Sequence, residues 1–314
     1  MSKLVTIYGG SGFVGRYIAR RMAKEGWRVR VAIRRPNEAL FVKPYGFVGQ
    51  VEPVFCNIRD DASVRAVMQG ADAVVNCVGT FDRGGKNNFT AVQAEGAGRI
   101  ARIAAETGVA TMVHISAIGA DVKGASLYAQ SKGAGEAAVL AAFPNAMILR
   151  PSVIFGNEDG FFNRFAGMAR FGAVLPVVGG ATKFQPVYVD DVAQAAVKGI
   201  TGQATGIYEL GGPEVESFKG LMKKMLTVIQ RRRLVLNVPF FAANAIGNVL
   251  DFVAFATGGL IRNSLLTRDQ VLSLRSDNVV SAGAKTLADL GIEATSYDSV
   301  NRSAAGSRCA VPNT

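Results

Sequence analysis

The strongest constraint on this chain is an alternation. Short β-branched or apolar runs lie at Leu4–Tyr8, Arg28–Ile33, Val51–Phe55, Ala73–Asn76, Thr111–Ile115 and Ala146–Leu149. Between most of them come stretches with apolar residues at helical spacing: Phe13–Lys24, Ala62–Met68, Phe89–Thr107 and Tyr128–Ala142. A strand buried on both faces reads as a nearly continuous apolar run, and joining two such strands in parallel takes a crossover helix. Strand and helix in turn therefore predict an α/β chain with a doubly wound parallel sheet. The 314 residues suffice for a large core, as one domain or as one domain with a lobe.

After Arg150–Pro151 the alternation loosens. The expected organisation is a nucleotide-binding domain over 1–155 with late returns near 184–210, a mixed lobe over 156–300, and a frayed tail at 301–314. Gly156–Gly180, rich in Phe and Gly, is expected to cross the carboxyl edge of the sheet. Phe184–Val189 and Gly206–Leu210 are read as late strands with a helix at Asp191–Ile200 between them, where Asp190 or Asp191 serves as N-cap. A helix at Ser217–Gln230 starts on a serine cap, and shorter helices fall near Arg268–Leu274 and Ala284–Leu290.

At the first strand–helix junction stands Gly9-Gly10-Ser11-Gly12-Phe13-Val14-Gly15-Arg16. A dinucleotide-binding turn needs glycines at this spacing. The first permits the sharp turn, the second lets the backbone approach a pyrophosphate, and the third lets the helix pack close to the strand. Free N–H groups and the helix dipole then face the phosphates. A glycine triplet by itself also serves as a packing turn; its position in an alternating chain favours the nucleotide.

The second strand ends in Arg34-Arg35, where an NAD site usually carries an acid for the adenosine ribose. A guanidinium pairs with a 2′-phosphate that an acid would repel, so the expected cofactor is NADP(H), with Arg16 assisting. A solvated basic turn is the alternative. Asn57 and Ile58 follow the third strand, where a side chain reaches the adenine edge, and Cys77-Val78-Gly79 follow the fourth, with Gly79 allowing close backbone approach.

Tyr128-Ala-Gln-Ser-Lys132 sets a phenol and an ammonium on one helix face. The cation lowers the phenol's pKa, and the tyrosine then exchanges a proton beside a hydride transfer. An exposed helix pair is the plainer reading of the same spacing.

Taken in order, Gly-x-x-Gly-x-x-Gly, Asn-Cys-Val-Gly, His-Ile-Ser-Ala, Tyr-x-x-x-Lys and Leu-Arg-Pro-Ser-Val-Ile-Phe-Gly resemble an extended or atypical short-chain dehydrogenase over about residues 1–300. More narrowly, "GGSGFVGRYIARRM", "GADAVVNCVG", "AVQAEGAGRIARIA", "HISAIGAD", "SKGAGEAAVL", "ILRPSVIFGNEDGFFNRFA", "FQPVYVDDVAQA" and "YELGGPE" resemble the NADPH-binding accessory subunit of respiratory complex I and its bacterial relatives. The resemblance implies a Rossmann-like fold with a smaller C-terminal lobe and NADPH held tightly without established turnover. It also implies other complex I subunits as partners and a peripheral place on the cytoplasmic face of a bacterial inner membrane, or the matrix side of a mitochondrial one. An active dehydrogenase of this kind also needs a hydroxyl beside the substrate oxygen. Ser116 follows Ile115 at the end of the fifth strand, but Ala117 and Ile118 come next, which makes Ser116, Tyr128 and Lys132 a doubtful catalytic set. Pro151 and Val153 are expected to lay backbone beside the nicotinamide, with Pro151 stiffening a turn. His114 reads as a packed strand residue.

Composition bounds the alternatives. Lys and Arg exceed Asp and Glu by 11, which calls for an acidic partner: a cofactor, a membrane face, an acidic protein or nucleic acid. No aromatic-basic platform supports nucleic acid, so an RNA-binding dehydrogenase-like protein ranks behind an active NADPH-dependent reductase or sugar-nucleotide epimerase. The three cysteines, Cys56, Cys77 and Cys309, build neither a disulfide framework nor a metal spacing, and the single histidine argues against a histidine metal site. Met1 leads almost directly into the first strand, so no signal or transit peptide is expected. Val238–Ile261 is apolar, with Asn244, Asn248 and Asp251 forming a narrow polar stripe. It is read as a helix packed on the lobe, as a helix lying on a membrane or membrane subunit with Arg231–Arg233 near the headgroups, or, least favoured, as a span.

Overall fold

A computed structural model describes residues 2–81, 84–243, 245 and 268–300. Its centre is a seven-stranded parallel sheet in the order β11-β6-β5-β4-β1-β2-β3. The strands are β1 Leu4–Tyr8, β2 Arg28–Ile33, β3 Val51–Phe55, β4 Ala73–Asn76, β5 Thr111–Ile115, β6 Met147–Pro151 and, after the lobe has begun, β11 Gly206–Leu210. The first half of the chain winds outward from β1 to β3 and then returns to β4 on the other side of β1. The order thus reverses between β1 and β4, and in an open α/β sheet that reversal opens a crevice at the carboxyl ends of the strands.

Helices cover both faces. α1 (Phe13–Lys24) and α6 (Val189–Ile200) pack on one side, where Ile18, Met22, Val192 and Ala196 meet Val5, Ile7, Val31 and Val113. α2 (Asp61–Met68), α3 (Glu95–Glu106) and α4 (Leu127–Ala142) pack on the other, over Tyr8, Val74, Met112 and Ile148. Strand residues alternate between the two clusters, as the period of two requires. Burying side chains of this size contributes about 1.5–3 kcal/mol each, which makes the sheet the rigid body that fixes everything at its edge.

The smaller lobe has its own core. Its elements are β7 (Ile154–Phe155), α5 (Phe161–Phe171), β8 (Val174–Val178), β9 (Lys183–Phe184), β10 (Val187–Tyr188), β12 (Glu216–Ser217), α7 (Phe218–Val228), β13 (Leu234–Val238) and α8 (Arg268–Ser273). Phe155, Phe162, Leu175, Phe184, Phe218 and Met222 fill it. Phe161 meets Phe165 and Phe218 at ring-centroid distances of 5.4 and 5.6 Å.

Several expectations need correction. Phe184–Val189 is not one strand: Gln185–Pro186 divides it into β9 and β10, because Pro186 has no N–H to give a ladder. Neither Asp190 nor Asp191 is an N-cap. α6 begins at Val189 on Tyr188, and both acids sit in its first turn. Asp190 pairs with Arg21 of α1 (Nε to Oδ1, 2.7 Å), and Asp191, buried, accepts from the Thr295 N–H at 2.7 Å. Pro151 ends β6, opposite Leu210, and its carbonyl accepts from the Ile118 N–H at 3.1 Å, so it belongs to the strand and not to a turn beyond it. Residues 156–180 carry α5 and β8 as well as a crossing, and β8 pairs in parallel with β13. Only Ala288–Leu290 of the expected last helix turns, as a 3₁₀ segment. The polar stripe at Asn244, Asn248 and Asp251, Cys309 and the tail from residue 301 lie outside the described residues.

Candidate functional site: an open helix terminus beside a buried lysine

The turn after β1 has the shape that its glycines allow. Gly9 lies at φ +75, a conformation that side chains rarely adopt, and its N–H donates to the Ala32 carbonyl at 3.0 Å. A Cβ on Gly15 would stand 2.5 Å from the Gly9 oxygen and 2.7 Å from the Gly10 Cα, so only glycine lets α1 start this close to β1. Gly9 also abuts the backbone of Cys77 and the side chain of Val78, which brings the loops after β1 and β4 together at the reversal of strand order.

Gly12, extended and exposed, is the N-cap of α1. No side chain caps this helix and no acid lies in its first turn. Other helices are capped by side chains. Asp60 accepts from Ala62 N–H at 3.2 Å, Ser126 from Ala129 N–H at 3.1 Å and Ser217 from Gly220 N–H at 3.1 Å. The first-turn N–H groups of α1 (Phe13, Val14, Gly15) therefore point their positive end into the crevice with no side-chain acceptor from the chain itself. That arrangement fits a pyrophosphate.

Arg16 leans back over the turn. Its Nη2 donates to the Ser11 carbonyl at 3.1 Å, and its guanidinium lies 4.9 Å from the Phe41 ring centroid. Arg34 and Arg35 both lie exposed beyond β2, with Arg35 donating to Glu38 at 3.0 Å. One guanidinium thus lies at the start of α1 and two just beyond β2; Glu158, 3.9 Å from Arg16, and Glu38 are loosely held competitors for Arg16 and Arg35. Asn57 is tied into its loop through the N–H bond to Ser63 Oγ (2.9 Å), and Ile58 packs against the α2–α3 side of the sheet.

On the other side of the crevice, α4 presents Tyr128 and Lys132. Lys132 is buried; its Nζ donates to the Ile115 carbonyl at 3.1 Å, and a Cβ on Gly79 would stand 3.9 Å from that nitrogen. Burial holds the ammonium down to about 8, against the pull of Glu136 one turn on. Tyr128, half-buried between the rings of Phe81 (5.6 Å, nearly parallel) and Phe89 (6.1 Å, edge-on), is pushed up to about 12 by desolvation, which corrects the expectation that the Lys132 cation lowers its phenol. Ser116 is buried at the end of β5, and its Oγ has no hydrogen-bond partner among the described residues. An orphaned hydroxyl in a native interior marks a place for a further polar group. Together with the uncapped α1 terminus it gives one sheet edge two places, suited to the pyrophosphate and to one end of a dinucleotide. Val153 lies further along the same edge, where its carbonyl accepts from Val187 N–H at 3.0 Å. His114 is buried on β5, accepts from Asn76 Nδ2 at 3.1 Å, and is held neutral, down to about 3, by desolvation.

Three features at this edge carry weight that the motifs alone do not. Glu136, one turn after Lys132, is buried and takes a bidentate bond from Arg150 (2.6 and 2.9 Å), which locks α4 to β6. Gln93, in a π-type turn at Thr90–Ala94, bridges the Thr80 carbonyl (2.6 Å) and Ser131 Oγ (3.0 Å), and so fixes the loop after β4 against α4. The first turn of α4 donates its N–H groups to the carboxylate of Asp269, 142 residues later than Leu127. The i,i+4 spacing of Lys132 and Glu136 signals the first; nothing local signals the last.

This fold and edge define a nucleotide-binding α/β protein of the dehydrogenase kind. The chain belongs to the NAD dependent epimerase/dehydratase family, whose model matches residues 5–211. Within that family it is a homologue of a respiratory-chain subunit: it is 33% identical over 296 residues to the mitochondrial NADH dehydrogenase (ubiquinone) 1 alpha subcomplex subunit 9 of Arabidopsis thaliana, covering 92% of this chain and 74% of that one. It is also 32% identical over 207 residues to the ceramide reductase of Caulobacter vibrioides, covering 66% of this chain and 64% of that enzyme. Among solved structures, the enzyme WbmH of Bordetella bronchiseptica in complex with NAD+ matches with a TM-score of 0.65 at 20% identity, over 76% of this chain and 86% of that one. That likeness concerns the fold. Among the described residues no helix is long and apolar enough to cross a membrane.

Proposed function

We propose that this chain is a peripheral accessory subunit of a complex I-type NADH:ubiquinone oxidoreductase that holds NADP(H) as a structural cofactor. The observation that carries the reading is similarity to the complex I subunit along 92% of the chain, joined to a helix terminus left open at the crevice. The N–H groups of the α1 first turn would take the pyrophosphate; Arg16, Arg34 and Arg35 the 2′-phosphate; Asn57 and Ile58 the adenine edge; Lys132, Tyr128 and Ser116 the nicotinamide-side ribose and amide. When bound, the dinucleotide supplies the acceptors that the sheet edge lacks, and a ligand at a hundred times its Kd stabilises the fold by about 2.7 kcal/mol. The role is then to hold shape at the junction of the peripheral and membrane arms, on the cytoplasmic face of a bacterial inner membrane, against other complex I subunits. Purification in mild detergent tests it: complex I subunits should copurify, and their consistent absence contradicts it.

One observation favours a second reading. Lys132 of α4 donates to the Ile115 carbonyl, next in sequence to the unpartnered Ser116 hydroxyl, Tyr128 stands four residues before Lys132 on the same helix, and the chain resembles a reductase over 207 residues. An NADPH-dependent reductase would oxidise NADPH with an added carbonyl substrate and lose that turnover in Tyr128→Phe. NADPH that stays reduced against a broad carbonyl panel counts against it.

A further inference from the structure

The start of α4 is capped twice, and one cap comes from far along the chain. Ser126 Oγ accepts from the Ala129 N–H, which is the local cap. The two remaining first-turn donors go elsewhere: Leu127 N–H to Asp269 Oδ1 at 2.6 Å, and Tyr128 N–H to Asp269 Oδ2 at 3.2 Å. Asp269 is buried, so its charge faces these amides and the positive end of the helix with little water to screen it. It stands on α8, and α8 is anchored in the smaller lobe. Val271 packs with Val178 and Ala243, and the Thr182 hydroxyl donates to the Leu274 carbonyl at 2.5 Å. Two turns carry this contact to the site, because Tyr128 is itself one of the two amides held and Lys132 lies four residues on.

We propose that Asp269 is a positioning residue. By gripping the first turn of α4 from the smaller lobe, it sets where Tyr128 and Lys132 stand, and it couples the state of that lobe to the hold on the dinucleotide. The coupling is reciprocal: a partner that shifts α8 loosens the nucleotide, and the nucleotide steadies α8. This rests on the NADP(H) reading above.

The test uses the full chain with NADPH as probe, comparing wild type, Asp269→Asn, Asp269→Ala and Ser126→Ala. Affinity is read by titration, and amide hydrogen exchange at Leu127 and Tyr128 is read without nucleotide. Asp269→Asn keeps the shape and one acceptor, so it decides the matter if Asp269→Ala does not fold. The expected result is NADPH binding weakened several-fold in Asp269→Asn and about tenfold or more in Asp269→Ala, with exchange at residues 127 and 128 accelerated in both. Ser126→Ala, which leaves those two amides capped, should weaken binding less. Wild-type affinity in both Asp269 variants overturns the inference alone, as does unchanged exchange at the two amides. A wild-type chain that binds no dinucleotide overturns the functional reading and the inference with it.

Discussion

Helices α1 and α4 begin at the same carboxyl edge of one sheet, and their starts are built in opposite ways. α1 begins on Gly12 with no side-chain cap and no acid in its first turn. α4 begins with its first three donors taken by Ser126 and Asp269. The difference follows from what each helix does at the crevice. α4 delivers side chains, Tyr128 and Lys132, whose positions need a fixed backbone. On the proposed function α1 delivers its backbone, and a cap from within the chain would occupy the place proposed for the ligand's phosphates.

Substitutions that erase this contrast should have the largest effects. Gly15→Val drives a Cβ into the Gly9 oxygen and the Gly10 Cα, and is expected to cost about 2–3 kcal/mol in denaturant unfolding and to abolish NADPH binding in a titration. Gly12→Asp makes α1 resemble α4. A Cβ there would stand 3.1 Å from the Gly9 carbonyl oxygen, which offsets the few tenths of a kcal/mol that a carboxylate cap adds over glycine, so the ligand-free chain's unfolding free energy should change by less than about 0.5 kcal/mol while NADPH affinity falls by about a hundredfold through charge repulsion. Affinity lost at nearly unchanged stability is the signature; unchanged affinity contradicts the account of an open terminus.

The next test concerns the guanidinium groups. The double change Arg34→Glu with Arg35→Glu should lower the preference for NADPH over NADH by about tenfold to a hundredfold, read as a ratio of Kd values. Both side chains are exposed, so the unfolding free energy should change little.

Lys132 supplies a pH test. Its folded value is held near 8 by burial, below the ordinary 10.5. Between those values the unfolded chain binds the extra proton, so Lys132 makes the ligand-free chain more stable as pH rises through that window, and the cost of the buried charge is fully present below pH 8. Lys132→Met should remove that rise, seen as a flatter difference between unfolding curves at pH 7.5 and 10, and should weaken NADPH binding. Ser126→Ala, the smallest change, should cost about 1 kcal/mol with cofactor affinity weakened less than in either Asp269 variant.

The contrast between the two termini also marks how far the sequence could be read. The strands of the sheet and the glycine turn are legible because their signals are local: β-branched runs at Leu4–Tyr8 and Val51–Phe55, glycine at fixed offsets, and helical spacing in Phe13–Lys24. The five strands β1 to β5 fall where these signals place them. Tyr128 and Lys132 are legible as a pair because i,i+4 is also local. The smaller lobe is less so. Its strands β9, β10 and β12 are two residues long, and β8 and β13 form a ladder with each other from positions 60 residues apart, so no window contains the pattern. Asp190 and Asp191 look like caps in sequence, but their partners Arg21 and Thr295 lie more than 100 residues away and decide otherwise. Asp269 is the extreme case, a cap with no local mark at all.

The central claim is the proposal that the open terminus of α1 receives a dinucleotide whose extra phosphate is taken by Arg16, Arg34 and Arg35. Mass spectrometry of the nucleotide released from gently purified wild-type protein tests it most directly. The account predicts NADP(H) at roughly one per chain; a chain that arrives empty, or that carries NAD(H) in its place, contradicts it.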